Sequence, residues 1–190
     1  MLLVVGGQSR KVGKTSVIAG IIRALQEAEW TAIKVTQHHS LVGWTLQQEA
    51  AESGDSGRYL TAGARESWYL PCAPDQLEVA MPALRGLIEK SGNVIVESNS
   101  VMDYLQPDLY LLVLDHGTSD VKESAQRHWA RVSAFVLVEP GGRPAPASAP
   151  SFVVRRPDFE SKELAAWIAA HFSLQAGGKV TRSETSDSSQ

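Results

Sequence analysis

Three stretches in the second half of the chain, NVIVE (93–97), LYLLVL (109–114) and AFVLV (134–138), are short and almost continuously apolar. A strand with one wet face alternates apolar and polar residues. These do not, so both faces must be covered, as in a parallel sheet with helices on each side. MLLVV (1–5) has the same character, and TAIKV (31–35), ESWYL (66–70) and SFVVR (151–155) read as further strands. Helical patterns fill the intervals. Residues 14–28 place Val17, Ile18, Ile21, Ile22 and Leu25 on one face. Asp55 is placed to cap a helix over 56–63 that Gly63 ends, and 75–90 reads as a helix interrupted or bent near Pro82. Residues 119–131 and 159–171 complete the set, and 36–54 is polar and irregular with a short helical stretch at 46–52. Alternating strands and helices predict a three-layer α/β fold with a mostly parallel central sheet. Ligands of such folds sit at the carboxyl ends of the strands.

The chain of 190 residues fits one domain, expected over 1–172. The polar segment 173–190 reads as a disordered tail, and PGGRPAPASAP (140–150) as a loop. A net charge of −3 gives no global attraction to nucleic acid or anionic membrane. No apolar run approaches the roughly 20 residues that span a bilayer, and MLLVVGG lacks the basic flank of a signal peptide. The single cysteine, Cys72, forms no internal disulfide and reads as a half-buried loop thiol. The expectation is a cytoplasmic protein.

The first strand runs into Gly7-Gln8-Ser9-Arg10-Lys11-Val12-Gly13-Lys14-Thr15-Ser16 and then a helix. A loop entering a helix in this way aims successive backbone N–H groups at one point, reinforced by the helix dipole. Gly13 lets backbone approach phosphate oxygens, Lys14 brings a full charge to them, and Thr15 offers a hydroxyl to Mg²⁺. All ten residues are expected to form a nucleoside triphosphate site. The usual motif has four residues between its glycines; here five residues lie between Gly7 and Gly13, with Gln8 at the usual glycine position.

That spacing resembles dethiobiotin synthetase and its relatives in cobyric acid synthesis, whose loop has the form GTDTxVGKT. Gly7, Val12, Gly13, Lys14 and Thr15 match it, while Gln8, Ser9, Arg10 and Lys11 depart. IKVTQHHS (33–40) and SGDSGRYLTAGA (53–64) are similar instead to molybdopterin-guanine dinucleotide biosynthesis protein B (MobB). The similarities cover about the first 100 residues. They imply a P-loop NTPase fold with Mg²⁺ held by Thr15, Asp55 and Glu97. Relatives follow this glutamate with glycines. Here Ser98-Asn99-Ser100 stands instead, and Ser98 and Asn99 are expected to bond a ligand or orient a water.

Several residues have two readings. Lys34 either points into the site and bears transferring charge, with Lys14 the second catalytic residue, or is a strand-edge lysine. Asp115, ending LYLLVL, is a third acid at the expected ligand edge. His38 and His39 are adjacent and suit a phosphate or substrate better than one metal. LVGWTL (41–46) either covers core or serves as a partner-binding tip. No Asn-Lys-x-Asp follows AFVLV, so the choice of GTP or ATP stays open; MobB implies the first and dethiobiotin synthetase the second. Three functions follow: a MobB-like NTPase assisting molybdenum-cofactor biosynthesis, an ATP-dependent ligase or kinase, and a non-catalytic nucleotide-dependent switch. The resemblance also leaves open a biosynthetic partner protein and a homodimer.

Overall fold

A computed structural model describes residues 1–51, 54–115, 121–139 and 148–177, without the side chains of Asp55 and of 173–177. Its centre is an eight-stranded sheet. The strands are β1 (Leu2–Gly7), β2 (Thr31–Gln37), β3 (Gln47–Gln48), β4 (Glu66–Cys72), β5 (Val94–Glu97), β6 (Leu109–Asp115), β7 (Ala134–Glu139) and β8 (Ser151–Arg155). They lie in the order β3-β4-β2-β5-β1-β6-β7-β8, and every pairing is parallel except that of β3 with β4. The helices are α1 (Lys14–Ala24), α2 (Gly54–Thr61), α3 (Leu77–Lys90), α4 (Glu123–Gln126) and α5 (Lys162–Gly177).

The continuous apolar runs are explained by two cores, one on each face. Leu3, Val5, Ile95, Leu111, Val113 and Val136 point to the face covered by Val17, Ile18, Ile21 and Ile22 of α1 and Leu164 and Ile168 of α5. Their sequence neighbours Val4, Val94, Val96, Leu112, Leu114 and Leu137 point to the other, covered by Leu77, Met81 and Leu84 of α3. Side chains alternate with period two along a strand, so each run feeds both cores. Each fully buried Val, Leu or Ile contributes about 1.5–3 kcal/mol of burial free energy, which outweighs the weak local preferences of such short strands.

Several expectations change. Residues 46–51 hold no helix, and 52 lies outside the described residues: Gln47 and Gln48 pair antiparallel with Tyr69 and Trp68. The N–H of Thr45 also bonds to the Pro71 carbonyl and that of Glu49 to Ser67. This segment covers the edge backbone of β4, which would otherwise be unpaired; a pair of glutamines carries no periodic signal of that role. Pro82 does not interrupt α3, which runs unbroken through it after a 3-10 turn at Pro74–Gln76. Asp55 stands within α2 rather than before it. Of the helix expected at 119–131, α4 and a 3-10 turn at Trp129–Arg131 are present, and residues 119 and 120 lie outside the described residues.

The last helix begins later than expected. The Ser161 hydroxyl accepts the Leu164 N–H at 3.3 Å, a serine cap, and Phe159 before it has φ 56°. Helix α5 passes the expected boundary at 172 and continues to Gly177; the remainder of the expected tail and residues 140–147 of the expected loop lie outside the described residues. Trp44 is half-buried against the α3-side core, whereas Leu41 is 39% and Val42 fully exposed. Cys72 is buried, not half-buried, and burial pushes its thiol up. Among the described residues no helix is long and apolar enough to cross a membrane.

Candidate phosphate and metal site

The loop between β1 and α1 sits at the middle of the sheet, flanked by β5 and β6. Gly13 immediately precedes α1 with φ 102°, a left-handed conformation that only glycine adopts without strain. A Cβ there would also stand 2.9 Å from the Phe159 ring. Val12 is 2% exposed and anchors the loop in the α1-side core. Its side chain therefore faces inward, and its backbone is what it can offer a ligand. The Lys14 ammonium lies 3.4 Å from the Ser9 carbonyl, curled under the loop. Burial pushes its pKa down, and Lys122 and Lys34 add to this while Glu97 opposes it. A desolvated cation in that setting is primed for a strong anionic partner.

Glu97 ends β5 directly beside β1, level with Val5, and is 7% exposed. One of its carboxylate oxygens, Oε2, gathers three groups. The Thr15 hydroxyl donates to it at 2.8 Å, the Tyr59 hydroxyl of α2 donates to it, and the Lys34 ammonium stands 3.8 Å away. Lys34 is also 3.4 Å from the Thr15 oxygen. The register explains the meeting: Lys34 is the direct partner of Glu97 across β2 and β5, so both side chains leave the same face. Thr15 and Glu97, one hydroxyl and one buried carboxylate, are the hard oxygen donors that Mg²⁺ takes. Among the described residues no three His, Cys, Asp or Glu side chains gather into a metal site. The Asp55 side chain lies outside the described residues.

The remaining expected residues spread differently. Gln8 is 2% exposed, and its side-chain carbonyl accepts the Asp115 N–H at 3.1 Å, so this side chain braces the loop from below. The Ser9 hydroxyl bonds to the Arg10 carbonyl. Arg10 and Lys11 are exposed at the loop tip, Lys11 with φ 60°. Ser16 accepts from Arg58 of α2 at 3.3 Å. Asp115 pairs with Arg156 at 3.3 Å. His38 bonds to the Tyr69 hydroxyl at 3.3 Å, which turns it toward β4, on the opposite side of β2 from Glu97.

Asn99 is the clearest departure from expectation. Its side chain bonds the loop itself: the carbonyl oxygen accepts the Gly7 N–H at 2.7 Å and the amide donates to the Gly7 carbonyl at 2.9 Å. The same amide reaches Ser124 of α4 at 3.3 Å. Asn99 therefore acts like one more residue of a neighbouring strand and holds the mouth of the loop. Tyr59 was absent from the sequence expectations; its one signal is its place four residues after Asp55, on the same side of a helix. Lys122, whose N–H bonds to the Gln8 carbonyl, carried no local signal.

A parallel sheet with this loop on a central strand, Gly-Lys-Thr opening the next helix, and an acid ending the adjacent strand define the P-loop NTPase fold. Two solved structures share it. LpxK from Aquifex aeolicus, determined with ATP, superimposes with a TM-score of 0.53 at 20% identity, over 80% of this chain and 53% of LpxK. The chain thus spans about half of LpxK's length. HypB from Helicobacter pylori, determined with nickel, has a TM-score of 0.53 at 13% identity over 97% of this chain and 91% of HypB. Identities this low establish a shared fold. No family model and no curated protein matches the chain.

Proposed function

We propose that this protein binds a nucleoside triphosphate, GTP or ATP, with Mg²⁺ and hydrolyses it. The observation that carries the reading is the meeting of Thr15 and Glu97 at 2.8 Å beside the phosphate loop. Lys14 and the loop N–H groups from Ser9 through Ser16 would bind the phosphates, whereas those of Gly7 and Gln8 are already given to Asn99 and to the Val113 carbonyl. Thr15 and Glu97, with Asp55 as a further ligand, would hold the metal, which would neutralise charge developing on the phosphate oxygens. Lys14 and Lys34 are the cations that would stabilise that charge. ATP in LpxK supports a triphosphate in this fold. The nickel of HypB suggests no nickel site here, since the hard oxygens of Thr15 and Glu97 suit magnesium.

Within this class we favour a MobB-like accessory role in molybdenum-cofactor biosynthesis, on the matches at Lys34, His38, His39 and Arg58. A dethiobiotin synthetase-like ligase is less well supported, because Ser98 and Ser100 stand where those relatives carry glycines and Asn99 between them is committed to Gly7. A nucleotide-dependent switch is the second reading. It is favoured by the exposed apolar tip Leu41-Val42, which follows β2 as Glu97 ends the strand beside it.

Thermal shift with Mg-ATP and Mg-GTP tests the reading and selects the base. Lys14→Ala should weaken binding by about 10- to 100-fold, the scale of losing a hydrogen bond to a charged partner. Full retention of the nucleotide shift by Lys14→Ala would sink the proposal. Phosphate release then separates an enzyme from a switch.

A further inference from the structure

Lys34 stands against both groups assigned to the metal, 3.4 Å from the Thr15 oxygen and 3.8 Å from Glu97. Its side chain is 16% exposed and that of Glu97 9%, so the pair is largely shielded from water. A carboxylate buried this far needs a cation or several donors. Among the described residues it receives two hydroxyl donors, from Thr15 and Tyr59, and a full positive charge from Lys34.

We propose that Lys34 is the resident counter-ion of the metal site: in the nucleotide-free protein its ammonium group neutralises Glu97, and it yields that carboxylate to Mg²⁺ only when the metal arrives with a triphosphate. This rests on the site reading given above and extends it to the order of assembly. Two arguments support it. First, a magnesium ion bound by the Thr15 oxygen and Glu97 would occupy space next to the ammonium group, and like charges in a poorly solvated site repel strongly. Second, Lys14 is also close enough to Glu97 to feel its charge. A bare divalent ion would add two positive charges beside two lysines. A triphosphate reverses that balance, and Lys34 then has phosphate oxygens to move to. The protein would thereby bind no free magnesium and accept the metal as a metal–nucleotide complex.

The test is calorimetric titration of Mg²⁺, repeated with Mn²⁺, into the nucleotide-free full chain. Wild type should show no saturable binding. Lys34→Met, of similar length and uncharged, should bind the metal at least about tenfold more tightly than wild type, a conservative figure for one charge removed at about 4 Å. Lys34→Arg should behave as wild type, and adding Glu97→Gln to Lys34→Met should abolish the gain. Lys34→Gln serves if Lys34→Met does not fold. Saturable metal binding by wild type that Glu97→Gln removes would overturn the proposal. So would a neutral Lys34 variant that binds metal no better than wild type, or a gain that survives Glu97→Gln. Failure of Mg-ATP and Mg-GTP to stabilise wild type would instead remove the nucleotide reading, and the nucleotide-free titration would still decide the role of Lys34.

Discussion

The two strands that flank β1 both end in an acid, yet the two acids have different surroundings. Glu97 of β5 is level with Val5, whereas on β6 it is Val113 that is level with Gly7. Asp115 therefore lies about four residues, or roughly 13 Å, further along the strand direction. Its carboxylate is 27% exposed and meets Arg156, outside the loop. Glu97 lies beneath the loop and meets Thr15, Tyr59 and Lys34. Height in the sheet and the helices packed above it, not the presence of a strand-end acid, separate the proposed metal ligand from a partly exposed ion pair.

The sharpest way to break this comparison is to neutralise each acid. Glu97→Gln should remove the Mg²⁺ dependence of nucleotide binding, so that affinities with magnesium and with EDTA converge. Asp115→Asn should leave that dependence intact; equal effects of the two substitutions would erase the distinction. Asn99→Ala comes next, because it deletes two hydrogen bonds to Gly7. A loss of about 1–3 kcal/mol in urea unfolding is expected, together with weaker nucleotide binding. Unchanged nucleotide affinity would show that Asn99 supports the fold alone. Tyr59→Phe removes one donor from the Glu97 carboxylate and should cost about 1.5–3 kcal/mol at most, read from the same unfolding curves. The smallest effect belongs to Asp115→Asn, which breaks a partly exposed ion pair and should change stability by about 0–1 kcal/mol.

Much of this was legible in the residues alone, for a local reason. A run such as LYLLVL must serve two buried faces wherever it sits, and the two cores divide it as expected, with Leu111 and Val113 on one side and Leu112 and Leu114 on the other. The phosphate loop is equally local: Gly13, Lys14 and Thr15 act through the turn and the helix that they themselves form. The partners of Glu97 are different. Thr15, Lys34, Tyr59 and Glu97 come from four elements, and they meet because β5 inserts between β2 and β1, an order that no segment of sequence encodes. The same non-local order places Asn99 on Gly7, 92 residues away in the chain. It also leaves β4 with an open edge that the unpatterned Gln47-Gln48 covers. Periodicity and turn chemistry are written in neighbouring residues, so they can be read directly. In the sequence, resemblance alone sets Glu97 apart from Asp115; the physical difference between them lies in packing across the sheet, and it appears only once the strands have been put in order.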